Sequence, residues 1–269
     1  MSENITRAIS GVIYILLLVT ATLFSKYSFL MLFGVFLFVA IVEFCDLINL
    51  NKLYAVTVSG ILFALFSFFQ ITNSTKILLT IGTLFVSCRL IYILFSKSNI
   101  RIDNISRYIY LIGYVVLPII ILTKIPLNNL LFEPKIIISI FILIWINDTF
   151  AYIVGKSIGK NKLFETISPK KTIEGFIGGL FFAIISGLII ADIYVIKPYF
   201  YWTIIAILVG IFGTIGDLIE SKFKRIAGVK DSGTIMPGHG GILDRLDSVI
   251  FVAPFIYLFL QILEHFNYA

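Results

Sequence analysis

Cysteine and histidine are nearly missing from this chain, with two of each in 269 residues. Cys45 and Cys88 both fall in apolar runs, where a free thiol behaves as a small hydrophobe. So small an inventory excludes a disulfide framework and a zinc site of the usual Cys/His spacing. Charge is also scarce. Asp, Glu, Lys and Arg make up 13% of the residues, about half the share in an ordinary soluble domain. No Gly-, Ser- or Pro-rich tract marks a linker, and no soluble repeat recurs.

What fills the chain instead is apolar. The hydrophobic share is 59% and the mean hydropathy is +1.04. A helix needs about 20 apolar residues to cross the hydrocarbon core of a bilayer. Nine such runs are read, at 8–24, 28–48, 54–71, 76–96, 108–123, 135–155, 175–196, 200–219 and 245–263; the first and fifth are the shortest. A leader-peptide reading of the first run would use Arg7 and a cleavage-like Val19-Thr20-Ala21. It is set aside because further spans follow directly. The expectation is an all-α, polytopic integral membrane protein with about nine transmembrane helices. Its 1–134 half is plain, and its 135–269 half carries the polar chemistry.

The net charge of +6 is unevenly divided. With nine spans, the N-terminus and the 2–3, 4–5, 6–7 and 8–9 loops hold fifteen Lys and Arg residues, and the opposite side holds five. The positive-inside rule then places the first group in the cytoplasm. The two longest polar loops, 156–174 and 220–244, share that face. On span seven, Gly175, Gly179, Ala183 and Gly187 form a small-residue stripe suited to close helix packing.

Gly155-Lys156-Ser157-Ile158-Gly159-Lys160-Asn161 imitates a P-loop and fails. Gly155 is one place late, and Asn161 stands where a hydroxyl is needed. A flexible basic loop is the better reading. Glu43, Asp46 and Arg89 are ionisable groups in or near apolar runs, where such groups are costly; no role follows from the sequence. Asp217 and Glu220 end span eight, and Asp244 and Asp247 begin span nine. Each pair is spaced i, i+3, so each puts two carboxylates on one helical face. Asp148 adds a carboxylate inside span six. Two readings stay open: ion pairs, with Arg245 lying within the second pair, or oxygen ligands for Mg²⁺. Ser168-Pro169-Lys170-Lys171-Thr172 reads as a helix start, Ser capping and Pro first. Lysines at that end suit a bound phosphate. Carboxylates, cations and the glycine-rich loop around His239 together describe phosphoryl or nucleotidyl transfer beside a membrane.

Residues 221–247 resemble the signature of the phosphatidate cytidylyltransferase (CDP-diacylglycerol synthase) family. The matching positions are Ser221, Lys224-Arg225, Lys230-Asp231, Gly233, His239-Gly240-Gly241 and Asp244-Arg245-Leu246-Asp247, with Met236 a mild departure. Asn147–Tyr152 and Ser168–Gly175 look like the family's other polar blocks. The specific likeness covers roughly 145–248. It implies a Mg²⁺-dependent reaction of CTP with phosphatidate that gives CDP-diacylglycerol and pyrophosphate in phospholipid biosynthesis. In that light Asp217, Asp244 and Asp247 are expected to hold the metal, with Asp148 as a further candidate. Lys170, Lys171, Lys224, Arg225 and Lys230 are expected to meet phosphates, and Arg245 to bind substrate. Asp231, His239, Gly240 and Gly241 are expected to shape the nucleotide pocket. The expected partners are CTP, phosphatidate and the cell (inner) membrane, with the active site facing the cytoplasm, no nucleic acid and a homodimer allowed. A CTP-dependent polyprenol or lipid kinase is the nearest alternative, a secondary transporter a more remote one.

Overall fold

The computed structural model describes residues 3–96, 103–128, 131–195 and 197–266. Among the described residues, nine helices follow in chain order: α1 (Glu3–Phe24), α2 (Lys26–Ile48), α3 (Lys52–Phe68), α4 (Asn73–Phe95), α5 (Asn104–Lys124), α6 (Pro134–Ile158), α7 (Ile173–Ile193), α8 (Tyr199–Ile226) and α9 (Leu243–His265). Eight are long and apolar enough to cross a membrane. The exception is α3, whose 17 residues reach only about 25 Å at 1.5 Å per residue. The first and fifth helices, by contrast, are of full spanning length.

The helices sort their residues by face. Val12, Ile13, Met31, Val35, Ile81, Phe85, Ile177 and Phe181 point outward and are exposed. In water such a surface would be an aggregation hazard; in a bilayer it meets its own kind. The buried core is built from Phe29, Phe33, Phe44, Tyr110, Tyr114, Phe141, Trp202 and Phe251, so it draws on both halves of the chain. The small-residue stripe of α7 is buried at every position. A Cβ on Gly179 would lie 2.6 Å from the Asn147 carbonyl oxygen, and one on Gly175 equally close to that of Ala151. Backbone-to-backbone packing of α6 on α7 therefore fixes the segment that carries Asp148.

Three helices contain a π-helical turn, at Ala64–Phe68, Leu111–Val116 and Val209–Gly213. Such widened turns are rare and concentrate at functional places. The third lies one turn before Asp217.

Two loop expectations are corrected. Gly155 to Ile158 is not a loop but the last turn of α6. Gly155 is needed there because a Cβ would strike the Thr172 hydroxyl. Ser168 and Pro169 do not start a helix either. They belong to strand β4 (Ser168–Thr172), which pairs antiparallel with β3 (Lys162–Phe164); a smaller hairpin, β1 (Leu127–Asn128) and β2 (Leu131–Phe132), lies at the other end of the helices. The true N-cap of α7 is Thr172, whose Oγ1 accepts the Gly175 N–H at 3.1 Å. Pro169 is tolerated because a two-stranded hairpin has only edges. The 220–244 loop is shorter than expected, since α8 runs on to Ile226.

Candidate active site

The polar residues gather where the end of α8 meets the start of α9. On α8, Asp217, Glu220, Ser221 and Lys224 share one face, as their i, i+3, i+4, i+7 spacing requires. Ser221 donates to Asp217 Oδ1 at 3.2 Å. Lys224 Nζ lies 2.5 Å from both Glu220 Oε2 and Asp244 Oδ1, tying α8 to α9. From β4, Lys171 reaches Asp217 Oδ2 at 2.5 Å. Burial disfavours the Lys171 ammonium, but Asp217, then Asp148 and Asp247, outweigh it and raise its pKa above the ordinary lysine value.

Asp244 is a loop anchor. Its Oδ2 accepts the Ser232 N–H (2.9 Å), the Ser232 hydroxyl (2.9 Å) and the Gly241 N–H (2.7 Å). With Lys224 on Oδ1, both oxygens are committed. Asp247 faces a different way. It is buried, its Oδ1 accepts the Ser248 N–H at 2.7 Å, and it lies within electrostatic reach of Asp217 and Asp148. Asp148 accepts from Asn147 Nδ2 at 3.2 Å. The carboxylates thus fall into two sets. Asp148, Asp217 and Asp247 surround the reach of Lys171, and Asp244 and Glu220 share Lys224. Among the described residues, no three His, Cys, Asp or Glu side chains form a ready metal-binding group.

His239 sits against α1. Ser10 Oγ lies 2.7 Å from His239 Nδ1, and the same hydroxyl lies 3.0 Å from the Pro237 carbonyl oxygen. Burial first, then Arg245 and Arg7, lowers the His239 pKa below 6.5. Arg245 NH2 donates to the His239 carbonyl at 3.1 Å. Gly240 has φ +87°, and a Cβ there would strike Asp244, so this glycine is required twice over. The other expected residues lie further out. Lys170, Arg225, Lys230 and Asp231 are exposed at the rim; Arg225 bonds the Ile167 and Val229 carbonyls.

Glu43, on α2, acquires a role that the sequence did not suggest. It is 4% exposed. Its oxygens accept the N–H groups of Ile242 (3.1 Å) and Leu243 (2.8 Å), and Oε2 lies 3.3 Å from the Ser232 hydroxyl oxygen. It caps α9, whose first N–H groups have no partner within the helix. The only sequence signal was an acid inside an apolar run. Ser10 and Ser232 carried no signal.

A cavity of about 240 Å³ opens over this cluster. Asp148, Asp247, His239 and Arg245 line it together with the rings of Tyr14, Trp145 and Phe141. It can receive a ligand that carries both charged and apolar groups.

Comparison with known proteins identifies the family. Residues 5–263 match the cytidylyltransferase family. A phosphatidate cytidylyltransferase of Bacillus subtilis is 34% identical over 95% of this chain and 97% of its own. Proteins of the same name from Staphylococcus saprophyticus and Staphylococcus haemolyticus are 37% and 34% identical, over 86% and 94% of this chain and 89% and 98% of theirs. The signature residues, the paired carboxylate sets and this match across nearly the whole sequence lead to one assignment: the chain belongs to the cytidylyltransferase family and is a membrane nucleotidyltransferase.

Proposed function

We propose that the protein transfers the cytidylyl group of CTP to phosphatidate, with Mg²⁺ as cofactor and with the site facing the cytoplasm. The observation that carries this reading is the cavity lined by charged groups, Asp148, Asp247 and Arg245, and by the rings of Tyr14, Phe141 and Trp145. The excess of Lys and Arg in the loops on the same face supports the orientation.

An oxygen of the phosphatidate phosphate attacks the α-phosphorus of CTP. The bond from that phosphorus to the bridging oxygen breaks, and pyrophosphate leaves with the electron pair. A phosphate monoester has a second pKa of about 6, so the attacking oxygen is already deprotonated near neutral pH. No strong base is required, and His239 Nδ1 is already engaged by Ser10. The barrier is the meeting of two polyanions. Lys171 offers three N–H donors, of which Asp217 engages one face, leaving others for a phosphate oxygen. Lys224, Arg245 and the rim cations Lys170, Arg225 and Lys230 extend the positive field.

The donor set suits a hard cation. Asp148, Asp217 and Asp247 are carboxylates in mutual electrostatic reach, and Mg²⁺ takes one or two protein carboxylates and fills its shell with water and phosphate oxygens. These three would hold it, and Asp244 is assigned to the loop instead. When bound, the ion neutralises and orients phosphate oxygens.

The test is purified protein in detergent with CTP and phosphatidate, with and without a chelator. Equal amounts of pyrophosphate and CDP-diacylglycerol are expected, and both are lost on chelation. Release of CDP in their place would mean a lipid kinase.

A further inference from the structure

At the end of the bundle remote from the acids, four lysines line one cavity of about 410 Å³: Lys26, Lys76, Lys124 and Lys197. They come from four different places: the start of α2, the start of α4, the end of α5 and the approach to α8. Only five Lys and Arg residues lie on that side of the nine-span arrangement, the fifth being Lys135. Four of the five have converged.

These are not ordinary surface lysines. Lys124 is 8% exposed, and Lys26, Lys76 and Lys197 are half-buried. Lysine is almost never buried without a partner. None of the four makes an ion pair with a described carboxylate. Lys26 and Lys76 lie within electrostatic reach of Lys124, so the group repels itself. Glu264, also in the lining, is a single acid against four bases.

The recess has a structural cause. α3 ends at Phe68, and Phe69, Gln70 and Ile71, which connect it to α4, line the cavity. Lys124 Nζ donates to the Ser67 carbonyl at 3.2 Å and the Phe69 carbonyl at 3.4 Å. An ammonium has three N–H donors, so one remains for a ligand. The amides of Gln70 and Asn73 add neutral donors to the lining.

We infer that this cavity is a second anion site, built to take a phosphate group carried by an anionic lipid head group or by a free phosphate ester. It is separate from the nucleotidyl-transfer site. On α2 alone, Lys26 and Glu43 are 17 residues apart, about 26 Å along the helix. The chemistry is phosphate because several converging ammonium groups, with amides beside them, match a multiply hydrogen-bonding, compact anion.

The test uses the full-length protein and reads lysine acetylation by peptide mass spectrometry, so it is independent of catalysis. Protein in phosphatidylcholine nanodiscs is compared with protein in phosphatidylglycerol nanodiscs and with phosphatidylcholine nanodiscs plus millimolar inorganic phosphate. Protection of Lys26, Lys76 and Lys197 by about tenfold is expected, with exposed Lys135 unchanged. Protection by phosphatidylglycerol alone identifies a head-group site, and protection by inorganic phosphate identifies a site for the free ester. Lys76→Gln should weaken either form of protection at Lys26. Equal labelling of the cavity lysines in all three conditions, or protection that extends equally to Lys135, would overturn the inference.

Discussion

Glu43 and Leu243 are 200 residues apart in sequence, yet the Glu43 carboxylate accepts the Leu243 N–H at 2.8 Å. A residue of the plain first half thus holds the helix start from which the signature acids project. The apolar N-terminal helices are part of the site's framework, not only its anchor.

Glu43→Ala leaves the Ile242 and Leu243 N–H groups buried without an acceptor. A cost of about 2–3 kcal/mol is expected, from lost capping and unsatisfied donors. Glu43→Gln keeps an acceptor oxygen and should recover part of it. Thermal unfolding in detergent measures both, and equal melting points for wild type and Glu43→Ala would remove this role.

Asp244→Asn weakens the tie to Lys224 and the grip on Ser232 and Gly241. Turnover should fall by tenfold or more, about 1.4 kcal/mol of transition-state stabilisation at least. The check is a steady-state assay on protein shown to be folded. Turnover within about threefold of wild type would take Asp244 out of the machinery.

The Lys171 pKa is raised, and the sign of its pH effect follows. A raised pKa contributes stability that is complete below the ordinary value of 10.5 and is lost as pH rises through the folded-state value. The melting-point difference between wild type and Lys171→Gln should therefore be flat from about pH 6 to 9 and shrink only above the ordinary lysine range. A difference that shrinks between pH 7 and 9 would contradict the Lys171–Asp217 pairing.

His239 has the opposite sign. Its pKa is lowered, so the neutral ring is favoured in the folded state. The associated stability is present above pH 6.5 and is lost as pH falls below it. Ser10→Ala removes the hydroxyl at Nδ1 and should free the 237–241 loop from α1. Limited proteolysis of that loop, faster in the variant than in wild type at neutral pH, is the readout.

Gly179→Val would press side-chain carbons into the Asn147 carbonyl. A cost of about 1–3 kcal/mol is expected from overpacking. The displaced α6 carries Asp148, so turnover should fall along with the melting temperature. A melting point equal to wild type would show that the two helices can part cheaply.

Much of this was legible in the residues. Apolar run length anticipated the helices, and the i, i+3 spacing of Asp217 and Glu220 put that pair on one face of α8. What spacing could not show was which carboxylate each cation would choose. Asp244 turned to Lys224 and the loop, while Asp247 turned toward Asp217 and Asp148. That choice depends on contacts between elements far apart in sequence. Ser168-Pro169 misled because Ser followed by Pro serves a strand edge as well as a helix start; the cap fell to Thr172. The end of α3 was hidden because Phe69 and Ile71, on either side of Gln70, carry apolar character past the end of the helix.

The most direct test follows the phosphorus atoms. Purified protein is given phosphatidate, Mg²⁺ and CTP labelled in one sample at the α-phosphorus and in another at the γ-phosphorus. The account predicts that the α label enters the lipid product and the γ label leaves as pyrophosphate. Gamma label in the lipid, or no label in the lipid from either sample, would contradict it.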